Sequence, residues 1–175
     1  MLFKNPANTA RLAFLKEQFP NAKFIHIVRN PYEVYASTEK LWQTMFNAFS
    51  MHQFKDIETH PHTLEIYETM MKKYLAERET ILDEDFIEVR FEDLEHDPIA
   101  ELTKIYEKFS LPDSAAGLEK ISTYVETLKG YRRSSYRLPA STLDEIRQRW
   151  GFAIEHWNYD LPDSIEVGSP SPSKR

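Results

Sequence analysis

Arg29 and Ser37 are the two residues whose types and spacing most directly suggest a chemistry. Arg29 ends the short apolar run Lys23-Phe24-Ile25-His26-Ile27-Val28, and Asn30-Pro31 follows it at once. A guanidinium offers paired, charge-assisted hydrogen bonds to a phosphate, and a serine hydroxyl adds a neutral donor. Asn30, Val34 and Ser37 follow an i, i+4, i+7 line, so Ser37 shares a helix face with the Asn30 cap about 10 Å further along. The same pair also reads as a surface ion-pair partner and a helix filler, and the spacing alone leaves both readings open. A second concentration of cations, Lys129-Gly130-Tyr131-Arg132-Arg133-Ser134-Ser135-Tyr136-Arg137, reverses the local sign of an acidic chain. Arg132 and Arg133 suit an anion, and equally suit a solvated linker beside the negative C-terminal end of a helix.

Histidine offers less. His26 lies inside the apolar run and reads as a packed residue. His52, His60 and His62, with Glu58 and Glu65 nearby, fall in a weakly patterned stretch between Phe46 and His62 that reads as a substrate-facing loop. Nothing in their spacing distinguishes a base from a surface residue, and no third ligand completes a metal site around His60-x-His62. No metal is expected.

The elements that must position these residues alternate legibly. Leu2-Phe3 reads as the end of a strand, and Asn5 then caps a helix with Pro6 in its first position. Leu12, Leu15 and Phe19 keep helical spacing up to Pro20-Asn21. The run from Lys23 to Val28 reads as a buried strand. Asn30, Pro31 and Glu33 supply an N-cap, a first-turn proline and a capping-box acid for a helix through about Met45. Leu64 to Ile81 is helical in period, Phe86–Phe91 alternates like a strand, and Glu92-Asp93-Leu94 reads as an acidic turn. Helices follow from Asp97-Pro98 through Phe109, from about Asp113 to Lys129 with Gly130 as its C′ residue, and from Ser141 to Trp150 with Gly151 after it. This order predicts an α/β domain with a short parallel sheet flanked by helices and a helix-rich C-terminal half. A single core is expected over residues 1–162, with the Ser- and Pro-rich stretch 163–175 disordered.

Composition removes several classes. The 175 residues carry 22 Lys+Arg against 28 Asp+Glu, a net charge of -6, which disfavours nonspecific binding to nucleic acid. Cysteine is absent, so thiol nucleophiles, disulfides and thiolate metal sites are excluded. The 4 glycines lie at 117, 130, 151 and 168, which rules out a P-loop or dinucleotide fingerprint in this sequence. No apolar run approaches the roughly 18 residues of a membrane span, and a cytoplasmic location is expected.

The segment from Lys23 to Pro31, with Val34 and Ser37, resembles the 3′-phosphate-binding segment of sulfotransferases that use 3′-phosphoadenosine 5′-phosphosulfate (PAPS). Val89-Arg90-Phe91-Glu92-Asp93-Leu94, followed by Asp97-Pro98 and the helix leading to Leu111-Pro112, resembles that family's aromatic-Glu-Asp-Leu stretch. Leu2-Phe3-Lys4-Asn5-Pro6-Ala7-Asn8, with Arg11, is similar to the Lys-x-Pro segment of its bacterial members. The resemblance implies a partial three-layer, P-loop-type domain. It also implies Arg29 and Ser37 on the 3′-phosphate, Phe91 against adenine where many members have Tyr, and Lys4 at the sulfuryl group or the acceptor. Arg132 and Arg133 would clamp the 3′-phosphate from a late basic loop, although the family's Arg-Lys-Gly order is missing. The 5′-phosphosulfate loop expected upstream has no counterpart here, so the resemblance implies the C-terminal part of such an enzyme, with weak donor binding and poor turnover. Two rival classes stay open: a non-catalytic helical interaction module, and a nucleotide-kinase-like phosphoryl transferase, which would require a Walker loop. The acceptor is open among steroid, carbohydrate, peptide and lipid hydroxyls or amines, and a homo-oligomer is equally open.

Overall fold

The computed structural model describes residues 1–49, 59–127 and 134–168. In chain order the elements are a 3-10 turn at Pro6–Ala10, α1 (Leu12–Gln18), β1 (Phe24–Val28), α2 (Pro31–Phe49), α3 (Thr59–Arg78) and a second 3-10 turn at Asp83–Asp85. There follow β2 (Phe86–Arg90), α4 (Phe91–His96), α5 (Pro98–Lys108), α6 (Ser114–Thr127), β3 (Tyr136–Leu138), α7 (Ala140–His156) and β4 (Ile165–Val167). The fold is α/β, with short parallel strand pairs among helices, as the alternation predicts. Where one core was expected, the chain divides into two compact units: Met1–Arg29 with Lys72–Arg132, and Asn30–Met71 with Arg133–Arg175.

In the first unit β1 and β2 pair in parallel, from Phe24 opposite Phe86 to Val28 opposite Arg90. Val89, Ile105 and Phe109 are buried together, and Ile87, Leu94 and Leu102 pack against them. The apolar period of α5 thus seats it on β2. Asp97 starts that helix by accepting a hydrogen bond from Ala100 N–H at 3.0 Å, with Pro98 in the first turn, where no N–H is needed. Its end turns at Ser110, whose φ of 48° lets Leu111 N–H reach Tyr106 O at 2.9 Å. Gly117 permits the close approach of α6, because a Cβ there would lie 2.6 Å from the Tyr106 hydroxyl. Asp85 joins α1 to the sheet, with Lys16 Nζ at 2.6 Å and Lys23 Nζ at 2.5 Å from its two oxygens.

Three expectations need correction in this unit. Leu2 and Phe3 form no strand and are exposed, since no neighbouring strand among the described residues receives them. The stretch read as an acidic turn is α4, where Glu92 and Asp93 occupy the first turn of a helix and favour its positive end. Finally, β1 is buried on one face only: Ile25 and Ile27 are 39% and 50% exposed, while Phe24, His26 and Val28, which point to the opposite face, are half-buried or buried.

The second unit is organised around Trp150 of α7. Trp150, Ile146 and Ala153 are fully buried, with Leu64 and Tyr67 of α3 and Tyr32, Tyr35 and Ala36 of α2 also in this core. The Trp150 indole N–H donates to Leu64 O at 3.0 Å, and its ring lies 4.0 Å from that of Tyr67. α7 runs through Gly151 to His156 instead of stopping at Trp150; a single glycine costs a helix too little to end it when the flanking residues are buried. The structure also departs from the expected disorder at the start of the C-terminal stretch. Ile165–Val167 pairs in parallel with β3, Ile165 is buried, and Ser164 Oγ donates to the buried Glu33 carboxylate at 2.5 Å. Positions 169–175 and Gly130 lie outside the described residues.

Candidate functional site

The parallel register carries Arg29 and Phe91 to equivalent places, each one residue beyond the C-terminal end of its strand. The Arg29 guanidinium carbon sits 4.5 Å from the centroid of the Phe91 ring, and both side chains are half-buried. At this distance the ring face attracts the cation by about 0.5–1 kcal/mol and fixes where the positive charge stands at the sheet edge. In open parallel sheets the carboxyl ends of the strands are where ligands bind. A guanidinium there can take a phosphate, and an aromatic face beside it can take a flat heterocycle.

In the second unit, the Asn30 side chain caps α2, accepting from Tyr32 N–H at 3.1 Å, while its amide donates to Asp160 O at 2.8 Å. The cap is therefore held from both sides. Glu33 in the first turn is buried at 1% exposure and takes the Ser164 hydroxyl. Ser37 is half-buried and its Oγ donates to Val34 O at 3.1 Å. A serine has one proton, so gripping an anion requires rotation about χ1 away from Val34. Lys4 is exposed ahead of the Asn5 cap, whose side chain accepts from Ala7 N–H at 3.0 Å. Arg132, Arg133, His52 and Glu58 lie outside the described residues.

His60 and His62 stand in the first turn of α3, where a loop was expected. His60 Nδ1 lies 2.6 Å from the Tyr35 hydroxyl and Nε2 lies 3.0 Å from Glu145 Oε2. Burial, reinforced by the Glu39 and Glu145 carboxylates, pushes the Tyr35 phenol well above its ordinary range, so it keeps its proton opposite Nδ1 of His60. Both ring nitrogens are then engaged. For His60 to take a proton from an acceptor hydroxyl, one of these partners must first be displaced. The chain Glu145–His60–Tyr35 was not legible in sequence, because its members lie on three separate helices. Glu39 also accepts from Thr59 and Thr63, each at 2.6 Å, which ties α2 to the start of α3.

A comparable group in the first unit joins His26, Glu88 and Tyr74. The register sets His26 opposite Glu88, His26 Nδ1 lies 2.9 Å from Glu88 Oε2, and the Tyr74 hydroxyl donates to the same oxygen at 2.7 Å. The Tyr74 and His26 rings are 4.0 Å apart. Burial, then the bond to Glu88, holds the Tyr74 phenol above its ordinary range. Among the described residues no group of three or more His, Asp or Glu could hold a metal ion, and no helix is long and apolar enough to cross a membrane.

Residues 1–115 match the model of a sulfotransferase family, and the chain belongs to that family. It is 32% identical over 160 residues to the omega-hydroxy-beta-dihydromenaquinone-9 sulfotransferase Stf3 of Mycobacterium bovis and of Mycobacterium tuberculosis, covering 91% of this chain and 41% of each relative. The crystal structure of sulfotransferase STF9 from Mycobacterium avium superposes with a TM-score of 0.78 at 19% identity, over 91% of this chain and 42% of that one. The fold is thus that of the sulfotransferases. The chain spans about two fifths of the length of these relatives.

Proposed function

We propose that this chain carries donor-binding residues of a sulfotransferase that moves a sulfuryl group from PAPS to the hydroxyl of an acceptor. In such a transfer the acceptor oxygen bonds to sulfur and the S–O bond to the 5′-phosphate breaks. The adenosine bisphosphate leaves with the electron pair, and a base takes the acceptor proton. Arg29 meets the 3′-phosphate and Phe91 the adenine face, with Ser37, Arg132 and Arg133 as further phosphate ligands and Lys4 at the transferred group. The observation that carries the reading is the Arg29 guanidinium over the Phe91 ring at the C-terminal end of a parallel strand pair. Family membership supports sulfuryl transfer, and the relative named for an omega-hydroxylated dihydromenaquinone supports a hydroxylated lipid as acceptor.

The test is thermal unfolding in the presence of 3′,5′-adenosine bisphosphate. Ligand at a hundred times its Kd stabilises the folded state by about 2.7 kcal/mol, a rise of roughly 5–10 °C for a chain of this size. Arg29→Ala is expected to remove most of that rise. A rise with ATP and none with the bisphosphate overturns the reading in favour of phosphoryl transfer; no rise with either overturns it in favour of an interaction module.

A further inference from the structure

The first unit sets three side chains of the β1 segment against three of the β2 segment, each pair 62 residues apart. Lys23 Nζ lies 2.5 Å from Asp85 Oδ1, His26 Nδ1 lies 2.9 Å from Glu88 Oε2, and the Arg29 guanidinium stands 4.5 Å from the Phe91 ring. That separation is the register of the strands themselves. Apolar packing does not choose it. Ile25 and Ile27 are exposed, and a slip of two residues keeps every side chain on its own face. It would set Ile25 opposite Val89 and Ile27 opposite Phe91, pairs as apolar as the present Ile25–Ile87 and Ile27–Val89. The polar residues refuse the same slip, since Glu88 would come opposite Phe24 and His26 opposite Arg90. Arg29 would pass Phe91 by two residues, about 6.6 Å along the strand.

Glu88 is held from α3 as well. The hydroxyl of Tyr74, a residue only 1% exposed, donates to the same Oε2 at 2.7 Å, and the Tyr74 ring lies 4.0 Å from the His26 ring. An ionised carboxylate only accepts, so Nδ1 of His26 carries the proton of their shared bond. Oε2 thus accepts at once from β1 and from α3. Lys23 reaches Asp85 along a flexible stem that can follow a slip, whereas a ring lying against a buried tyrosine cannot. We propose that Glu88 is a positioning residue of the strand-end site: by accepting from His26 and Tyr74 it fixes the β1–β2 register, and that register sets Arg29 beside Phe91. The proposal rests on the sulfotransferase reading for what Arg29 and Phe91 bind. Glu88 acts through the strands and not by contact with the donor.

The test pairs cross-strand nuclear Overhauser effects, which read the register, with calorimetric titration of 3′,5′-adenosine bisphosphate, which reads its consequence. Glu88→Leu is expected to add contacts of Ile25 with Val89 to the native contacts of Ile25 with Ile87. Its Kd should rise about tenfold, as when about a tenth of the molecules keep Arg29 beside Phe91. Glu88→Gln retains a carbonyl acceptor on the same stem and is expected to keep one register, with a Kd within about threefold of wild type. Ile105→Val loosens the core against β2; it should lower Tm and leave register and Kd unchanged. If Glu88 served stability alone, Glu88→Leu would behave in the same way. Should Glu88→Leu not fold, His26→Leu removes the cross-strand donor instead and must give the same mixed register and weakened binding. A folded Glu88→Leu protein with the native register alone overturns the proposal, and so does a mixed register with unchanged Kd. A mixed register in Glu88→Leu beside a wild type that does not bind the bisphosphate defeats the donor reading and leaves the register lock standing.

Discussion

The contact between Arg29 and Phe91 makes a quantitative demand on donor binding. Arg29→Met keeps a long apolar stem and removes the fork, so bisphosphate binding loses charge-assisted bonds worth about 1.5–3 kcal/mol, roughly 10- to 150-fold in Kd. Phe91→Leu keeps apolar volume and removes the ring face. If adenine stacks there, binding loses about 1–3 kcal/mol. Because the guanidinium lies 4.5 Å from the ring, the two losses cannot be independent. Removing the ring also removes a contact that orients the cation, so the double variant is expected to lose less than the sum of the singles by about 0.5–1 kcal/mol. Isothermal titration calorimetry of the four proteins at one fixed ionic strength closes the cycle. A Phe91→Leu protein that binds within about twofold of wild type, beside an Arg29→Met protein that does not bind, would place the adenine elsewhere. If both singles bind normally, the strand-end site is refuted altogether.

Two further expectations concern the scaffold. The hydrogen bond from Lys16, and then that from Lys23, hold the Asp85 carboxyl below its ordinary value. A carboxylate depressed in the folded state stabilises fully above its unfolded pKa of about 3.9, and that contribution fades as pH falls below it. Asp85→Asn should therefore lower Tm at neutral pH and flatten its decline below about pH 4. An acid limb as steep as wild type, followed by circular dichroism from neutral pH downward, would show that Asp85 does not couple α1 to the sheet. Gly151 lies inside α7, and beyond the helix's own backbone no atom stands within 4 Å of where an alanine methyl would sit, so Gly151→Ala adds helix propensity at no steric cost. A gain of about 1 kcal/mol should raise Tm by roughly 2–4 °C; a fall would mean that the helix face at Gly151 is covered.

What the sequence made legible was local. Asn5-Pro6, Asn30-Pro31 and Asp97-Pro98 each couple a side-chain acceptor to a proline fixed in φ, and all three open helical turns as read. The run Ile25–Val28, three of whose four residues are β-branched, forms a strand because branched side chains suit extended backbone. What depended on distant partners was not legible. Tyr136–Leu138 is too short and too polar to announce a strand, and it exists because Ile165–Val167 pairs with it. α4 hides in a sequence that also suits a turn, and only the packing of Leu94 against Val89, Ile105 and Phe109 decides between them. The Glu145–His60–Tyr35 chain brings together positions 85 and 25 residues apart, which no periodicity marks.

The division of the chain falls between Arg29 and Asn30, inside the segment that sequence reading treats as one motif. Its strand half answers to the core of Val89, Ile105 and Phe109, and its helix half to the core around Trp150. The peptide bond between the two residues keeps the arginine next to the cap along the chain whatever either core contributes. The cap is fixed by Tyr32 N–H and Asp160 O, and the guanidinium stands over the Phe91 ring. Each half of the motif thus has its own anchor within its own unit, and each can be perturbed separately. Phe91→Leu removes the ring from the arginine without touching Asn30, and Asn30→Ala uncaps α2 without touching the ring. Donor affinity that follows Phe91 and is indifferent to Asn30 would assign recognition to the strand end. Affinity that follows both would require the helix half, with Ser37, to take part in holding the phosphate.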